Sequence, residues 1–228
     1  MNSKKIIIAL DNDNLKNTIK LIEELKYDSF AFKVGYEFFF NFGLVGYKLI
    51  NQKNVRIFLD LKLHDIPNTV KNGIQAISKL NPYFTTVHIS GGDNMQKITN
   101  KTKKEIKILG VSILTSMNSE QTQKYYFNND INNIVSNFAT YAMENKLDGV
   151  VCSPKEINII KKKCADKLII ITPGIRPENY KNNADDQERI MTPKEALEAG
   201  ADYLVIGRPI TESLNPLEAL KNINASIK

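Results

Sequence analysis

Residues Ile57 to Val70 read IFLDLKLHDIPNTV, an apolar run interrupted by Asp60, Lys62 and Asp65. Side chains on a β-strand alternate between faces. Asp60 and Lys62 therefore share one face, roughly 7 Å apart along the strand, while Leu59, Leu61 and Leu63 take the other. Pro67 suits the first turn of a helix, which puts a turn near His64 to Ile66 with Asp65 at its mouth. The stretch is a strand that ends in charge and feeds directly into a helix.

The same unit recurs on both sides of it. Upstream, Lys5 to Leu10 and Phe30 to Val34 read as strands, each followed by a helical pattern, Leu15 to Leu25 and Tyr36 to Asn51. Downstream, strands are expected at Phe84 to Ile89, Ile106 to Leu114, Asp148 to Cys152, Leu168 to Ile171 and Tyr203 to Ile206. Helical stretches separate them, beginning with Pro67 to Leu80 and ending with Pro216 to Ile227. Eight strands alternating with eight helical units, without a linker or a shift in composition, predict an α/β fold. The expected architecture is one (β/α)8 TIM barrel domain over residues 1–228, slightly shorter than the usual ~250 residues. An open doubly wound sheet is the alternative, but no GxGxxG follows the first strand to support dinucleotide binding.

Composition narrows the function class. The chain has 228 residues, 42% hydrophobic, enough to fill a substantial core. No signal-peptide pattern or run of 18 apolar residues occurs, so a cytoplasmic protein with no membrane partner is expected. Cys152 and Cys164 have no Cys or His at metal spacing, and His64 and His88 read as structural, so neither a metal nor a cofactor is indicated. The net charge of +6 suits an anionic small substrate. Its densest runs, Lys101 to Lys107 and Lys161 to Lys163, lack interleaved aromatics, which argues against nucleic acid.

Active sites of (β/α)8 barrels lie at the C-terminal strand ends, and the unusual residues gather there. Asp11 ends the first strand. Lys33 lies near the end of the second, on the face of Ala31. Asp60 and Lys62 end the third, His88 the fourth, and Thr115 and Ser116 the fifth. Arg176 follows the seventh strand, and Gly207 with Arg208 follows the eighth. Gly207, Arg208 and Pro209 at a helix start, with Arg176 and Gln187, form a candidate phosphate site. The polar stretch from Glu178 to Arg189 has no apolar periodicity, and a loop of that length is usually functional or disordered. Lys33, Asp60, Lys62 and Asp65 make a charge array that is costly to bury unless each member is paired.

The run Asp60, Lys62, Asp65, Ile66, Pro67, Thr69 resembles the signature of orotidine 5′-phosphate decarboxylases. The likeness continues through Ala9 to Asp11, Phe32 to Gly35, Leu114 to Ser116, Val150 to Pro154, Thr172 to Pro177 (TPGIRP), Asp186 with Gln187, Met191 to Pro193, and Ile206 to Thr211 (IGRPIT). It implies a cofactor-independent barrel enzyme that converts orotidine 5′-phosphate to UMP and CO2 in the last step of UMP synthesis. By resemblance, Lys62 donates the proton at C6, with Lys33, Asp60 and Asp65 completing the charged set. Asp11 and Lys33 contact the ribose, and Thr115 or Ser116 reads the pyrimidine. Pro173 is also placed among the substrate-binding residues, and Arg176, Gln187, Gly207 and Arg208 hold the phosphate. The resemblance further implies a homodimer in which Asp65, Ile66 and Thr69 reach the neighbouring subunit's site. One departure is Asp185, where the family often has Gly before Asp-Gln, in a loop slightly longer than usual. A related metal-dependent sugar-phosphate decarboxylase or aldolase barrel is the competing enzyme reading. A basic nucleic-acid-binding or scaffold barrel is the competing non-enzyme reading.

Overall fold

The computed structural model describes residues 4–178, 180 and 190–227. From the N-terminus, β1 (Ile6–Ala9), α1 (Leu15–Leu25), β2 (Ala31–Val34) and α2 (Tyr36–Asn51) lead into β3 (Ile57–Leu63) and α3 (Pro67–Leu80). β4 (Phe84–His88), α4 (Asp93–Thr102) and β5 (Lys107–Val111) follow, then the helices α5 (Ser119–Tyr126) and α6 (Ile131–Glu144). The remainder is β6 (Gly149–Val151), α7 (Ile157–Cys164), β7 (Ile169–Thr172), α8 (Pro193–Glu198), β8 (Tyr203–Ile206), the short α9 (Arg208–Thr211) and α10 (Pro216–Ser226). Each strand is parallel to its neighbours in chain order, and β8 pairs with β1 to close the barrel.

Strand alternation sorts the core into two layers. Ile7, Ala9, Ala31, Phe58, Phe84, Leu109, Ile171 and Val205 fill the barrel interior. Ile6, Ile8, Phe32, Val34 and Leu59 join the layer packed against the helices. At the N-terminal pole the interior is plugged by aromatics. Phe30 stacks on Tyr203 at 4.0 Å between centroids, Tyr83 meets Phe84 edge-on at 4.7 Å, and the Arg56 guanidinium lies 4.7 Å from the Phe30 ring centre. With that end filled by apolar rings, polar interior side chains are left to the opposite rim.

Several sequence-based strand boundaries shift, and one helix is interrupted. β5 stops at Val111, so Leu114 to Ser116 lie in the following turn. β6 is shorter than Asp148 to Cys152 at both ends. The second helix is broken internally at Gly43, with φ 53° and ψ −145°, a backbone state that glycine reaches without a Cβ clash. Phe40, Leu44 and Val45 of α2 are exposed, at 80%, 54% and 72%.

Close strand contact creates a testable requirement at Gly149 in β6. A Cβ added there would sit 2.3 Å from the Ile169 carbonyl oxygen on β7, which cannot rotate away as a side chain could. Gly149→Ala is therefore expected to destabilise the barrel by about 1–3 kcal/mol. In urea unfolding this appears as a lower midpoint with an unchanged m-value.

Candidate active site

The interior faces of β1, β2 and β3 carry charge where they reach the C-terminal rim. Lys33 follows Ala31 by one full alternation on β2 and points inward, as its parity predicts. Its Nζ lies 3.2 Å from Asp11 Oδ1 and 3.7 Å from Asp60 Oδ2. Lys62 Nζ donates to the same Asp60 Oδ2 at 2.8 Å. Asp60 thus stands between two ammonium groups, with Asp11 on the far side of Lys33.

The array holds its charges in spite of burial. Burial opposes the charged form of Asp60, but Lys33 and Lys62, with hydrogen bonds from Lys62 and Thr86, outweigh it and hold the carboxyl below its ordinary range. For Lys33, burial pulls the other way and is outweighed by Asp60 and Asp11, so its ammonium is held above the usual lysine value. His88, on the interior face of β4, is driven down to about 4 by burial, the neighbouring His64 and Lys62, and is neutral at physiological pH. The His64 and His88 rings lie 5.1 Å apart between centroids. Among the described residues no three of His, Cys, Asp and Glu cluster in a way that could hold a metal ion.

Lys62 reaches Asp60 by a route that strict alternation does not describe. The register between β3 and β4 shifts between Leu59 and Leu63, and Lys62 has φ 45°. The strand carries an irregularity in register where the sequence pattern reads a regular one. Leu61 and Leu63 still pack toward the helix layer, and the Leu61 carbonyl accepts a hydrogen bond from Tyr36 Oη at 3.0 Å. The backbone groups freed from the ladder are taken up by side chains. Thr86 on β4 takes the Lys62 N–H at 2.8 Å and donates to Asp60 Oδ1 at 2.8 Å. Sequence reading assigned Thr86 no role. The available signal was a hydroxyl on the interior face, two residues from Phe84 and two from His88.

Just beyond β3, Asp65, Ile66 and Thr69 are exposed, Ile66 at 67%. Asp65 Oδ1 accepts the Ile66 N–H at 2.6 Å, and among the described residues of this chain the carboxylate has no ion-pair partner. Thr115 is half-buried and Ser116 exposed in the turn after β5. After β7, Pro173 is half-buried. Arg176 is 9% exposed, with Nη1 donating to the Ile175 carbonyl at 3.0 Å and the guanidinium 5.6 Å from the Tyr180 ring centre. Gly207 precedes α9, and the Ile210 and Thr211 N–H groups donate to its carbonyl at 2.8 and 3.0 Å. Gly207 and Arg208 line a cavity of about 200 Å³ with Asp11, Asn12 and Thr211. Gln187 and Asp185 lie outside the described residues.

Comparison with known proteins follows the whole length of this arrangement. Residues 4–223 match the sequence profile described as "Orotidine 5'-phosphate decarboxylase / HUMPS family". A relative from Mannheimia succiniciproducens named orotidine 5′-phosphate decarboxylase is 41% identical, covering 99% of this chain and 97% of its own. One of the same name from Vibrio cholerae is 38% identical over the full length of both chains. The crystal structure of orotidine 5′-phosphate decarboxylase from Lactobacillus acidophilus superposes with a TM-score of 0.84 at 36% identity, covering 99% of this chain and all of its own.

Proposed function

The chain belongs to the orotidine 5′-phosphate decarboxylase / HUMPS family, and from this membership we propose that it decarboxylates orotidine 5′-phosphate to UMP and CO2. The observation that carries the proposal is the Lys33, Asp60, Lys62 array at the C-terminal mouth of the barrel, where Asp60 stands between the two ammonium groups. Loss of CO2 breaks the C6–carboxylate bond and leaves the electron pair on C6, in the ring plane and outside the π-system. Stabilisation of that carbanion falls to fixed charge. The Lys62 ammonium beside C6 offsets the developing negative charge and then delivers its proton to C6, leaving a neutral amine that regains a proton from water.

Other residues hold the substrate. Asp11 and Lys33 face the ribose, Thr115 or Ser116 the pyrimidine, with Pro173 nearby. Arg176, Gln187, Gly207 and Arg208 take the phosphate. Phosphate binding remote from C6 supplies binding energy that is expressed in the transition state. Two such sites form in a homodimer, each completed by Asp65, Ile66 and Thr69 of the partner. Support for that arrangement comes from the exposure of these three residues and from the apolar face of Phe40, Leu44 and Val45. No described helix is long and apolar enough to cross a membrane, and both cysteines are buried. We further propose a cytoplasmic enzyme working as one unit over residues 1–228, with no nucleic-acid partner.

The test is direct. Purified protein is expected to consume orotidine 5′-phosphate, followed by loss of its ultraviolet absorbance, at a rate unchanged by EDTA. Turnover that EDTA abolishes would favour the metal-dependent sugar-phosphate barrel. No turnover at all would remove the decarboxylase reading.

A further inference from the structure

We infer that Thr86 is a positioning residue for the reaction, its single hydroxyl holding the irregularity in β3 that carries Lys62 and aiming the Asp60 carboxylate at both lysines. The inference rests on the decarboxylase reading and extends it to a residue that touches no substrate atom. Thr86 is fully buried, and its Oγ1 makes both bonds at 2.8 Å. Their directions are forced. The Lys62 N–H can only donate and the ionised Asp60 carboxylate can only accept, so the hydroxyl offers a lone pair to the first and its one proton to the second.

The arrangement answers a specific need. Between the Leu59↔Thr85 and Leu63↔Val87 pairs, β3 advances four residues while β4 advances two. Lys62, at φ 45°, lies inside that excess and its N–H falls out of the ladder. Thr86 supplies the acceptor that the ladder no longer does. The same atom occupies Asp60 Oδ1, leaving Oδ2 to face Lys62 Nζ at 2.8 Å and Lys33 Nζ at 3.7 Å. Without the hydroxyl, the carboxylate is free to rotate and the Lys62 backbone loses its anchor, so the ammonium is no longer held where charge develops. Thr85 provides an internal contrast. It is equally buried, but its hydroxyl donates to the Leu59 carbonyl at 2.9 Å and touches none of the charged groups.

Steady-state kinetics on orotidine 5′-phosphate for Thr86→Val, Thr86→Ala, Thr86→Ser and Thr85→Val, with thermal unfolding of each, test the assignment. Losing a buried hydrogen bond to a charged group should lower kcat of the Val and Ala variants about 10- to 100-fold. Their KM should stay within about threefold of wild type, because the loss falls on the reacting array and not on phosphate binding. Thr86→Ser should restore kcat nearly completely, and Thr85→Val should cost stability but not kcat. The Ala and Ser pair decides the matter if the Val variant does not fold. The inference is overturned if the Ala variant keeps kcat within about twofold, if Ser is as impaired as Ala, if only KM changes, or if Thr85→Val lowers kcat equally. Those outcomes leave the decarboxylase reading intact when the wild type is active. An inactive wild type overturns that reading and this inference together.

Discussion

Replacing Lys62 by alanine is expected to leave a folded protein that has lost CO2 release by on the order of 10⁴-fold or more, since in the proposed mechanism one residue supplies both the stabilising charge and the proton. The fold should survive. Lys62 is partly exposed, and its position outside the ladder is held through its backbone N–H, which alanine keeps. Asp60 retains Lys33 at 3.7 Å and Thr86 at 2.8 Å, so it is not stranded as an isolated buried charge. Circular dichroism and size-exclusion chromatography would establish the folded state, and a CO2-release assay the loss. Near-normal turnover in the folded variant would remove Lys62 from the proposed mechanism.

The second large effect separates the two halves of the opening stretch. Lys62 and Asp60 meet in their own barrel, while Asp65, Ile66 and Thr69 are exposed. If each proposed site draws Lys62 from one subunit and Asp65 from the other, Lys62→Ala and Asp65→Ala homodimers are both inactive. Mixing them with exchange of subunits regenerates activity. A mixed dimer has one site lacking both groups and one site lacking neither. Random exchange makes half of the dimers mixed, so recovery should approach roughly a quarter of wild-type activity, as expected for a two-fold symmetric pair. Well-folded mixed dimers that stay inactive would place Asp65 in its own subunit's site or outside the chemistry. A charge substitution on the apolar face of α2, at Phe40 or Val45, offers a control, since it should prevent both assembly and recovery.

Much of this was legible in one dimension. The alternation of strand and helix follows from hydrophobic period, which is a local property and survives without knowledge of contacts. The identity of the charged residues at strand ends could be read the same way, because barrels of this class expose those ends to solvent. Parity placed Lys33 on the face of Ala31, and the β1–β2 register agrees with it.

Parity also placed Lys62 on the face of Asp60, and their 2.8 Å contact agrees with it, but it gave no sign of how the Lys62 backbone is held. A period of two assumes an unbroken ladder, but the β3–β4 register shifts where no glycine or proline marks it in the sequence. Thr86 lies 24 residues from Lys62 and 26 from Asp60, and only closure of the barrel brings its hydroxyl between them. Ser112 to Leu114, which lead into the turn of Thr115 and Ser116, were read as strand because they continue the apolar pattern beyond the last ladder pair at Val111. The sequence by itself therefore determined the fold class, the rim on which the charges gather, and which residues carry them. Tertiary structure alone decided how those charges are paired and held. Pairing depends on register and on hydrogen bonds between distant strands, and local periodicity carries no information about either.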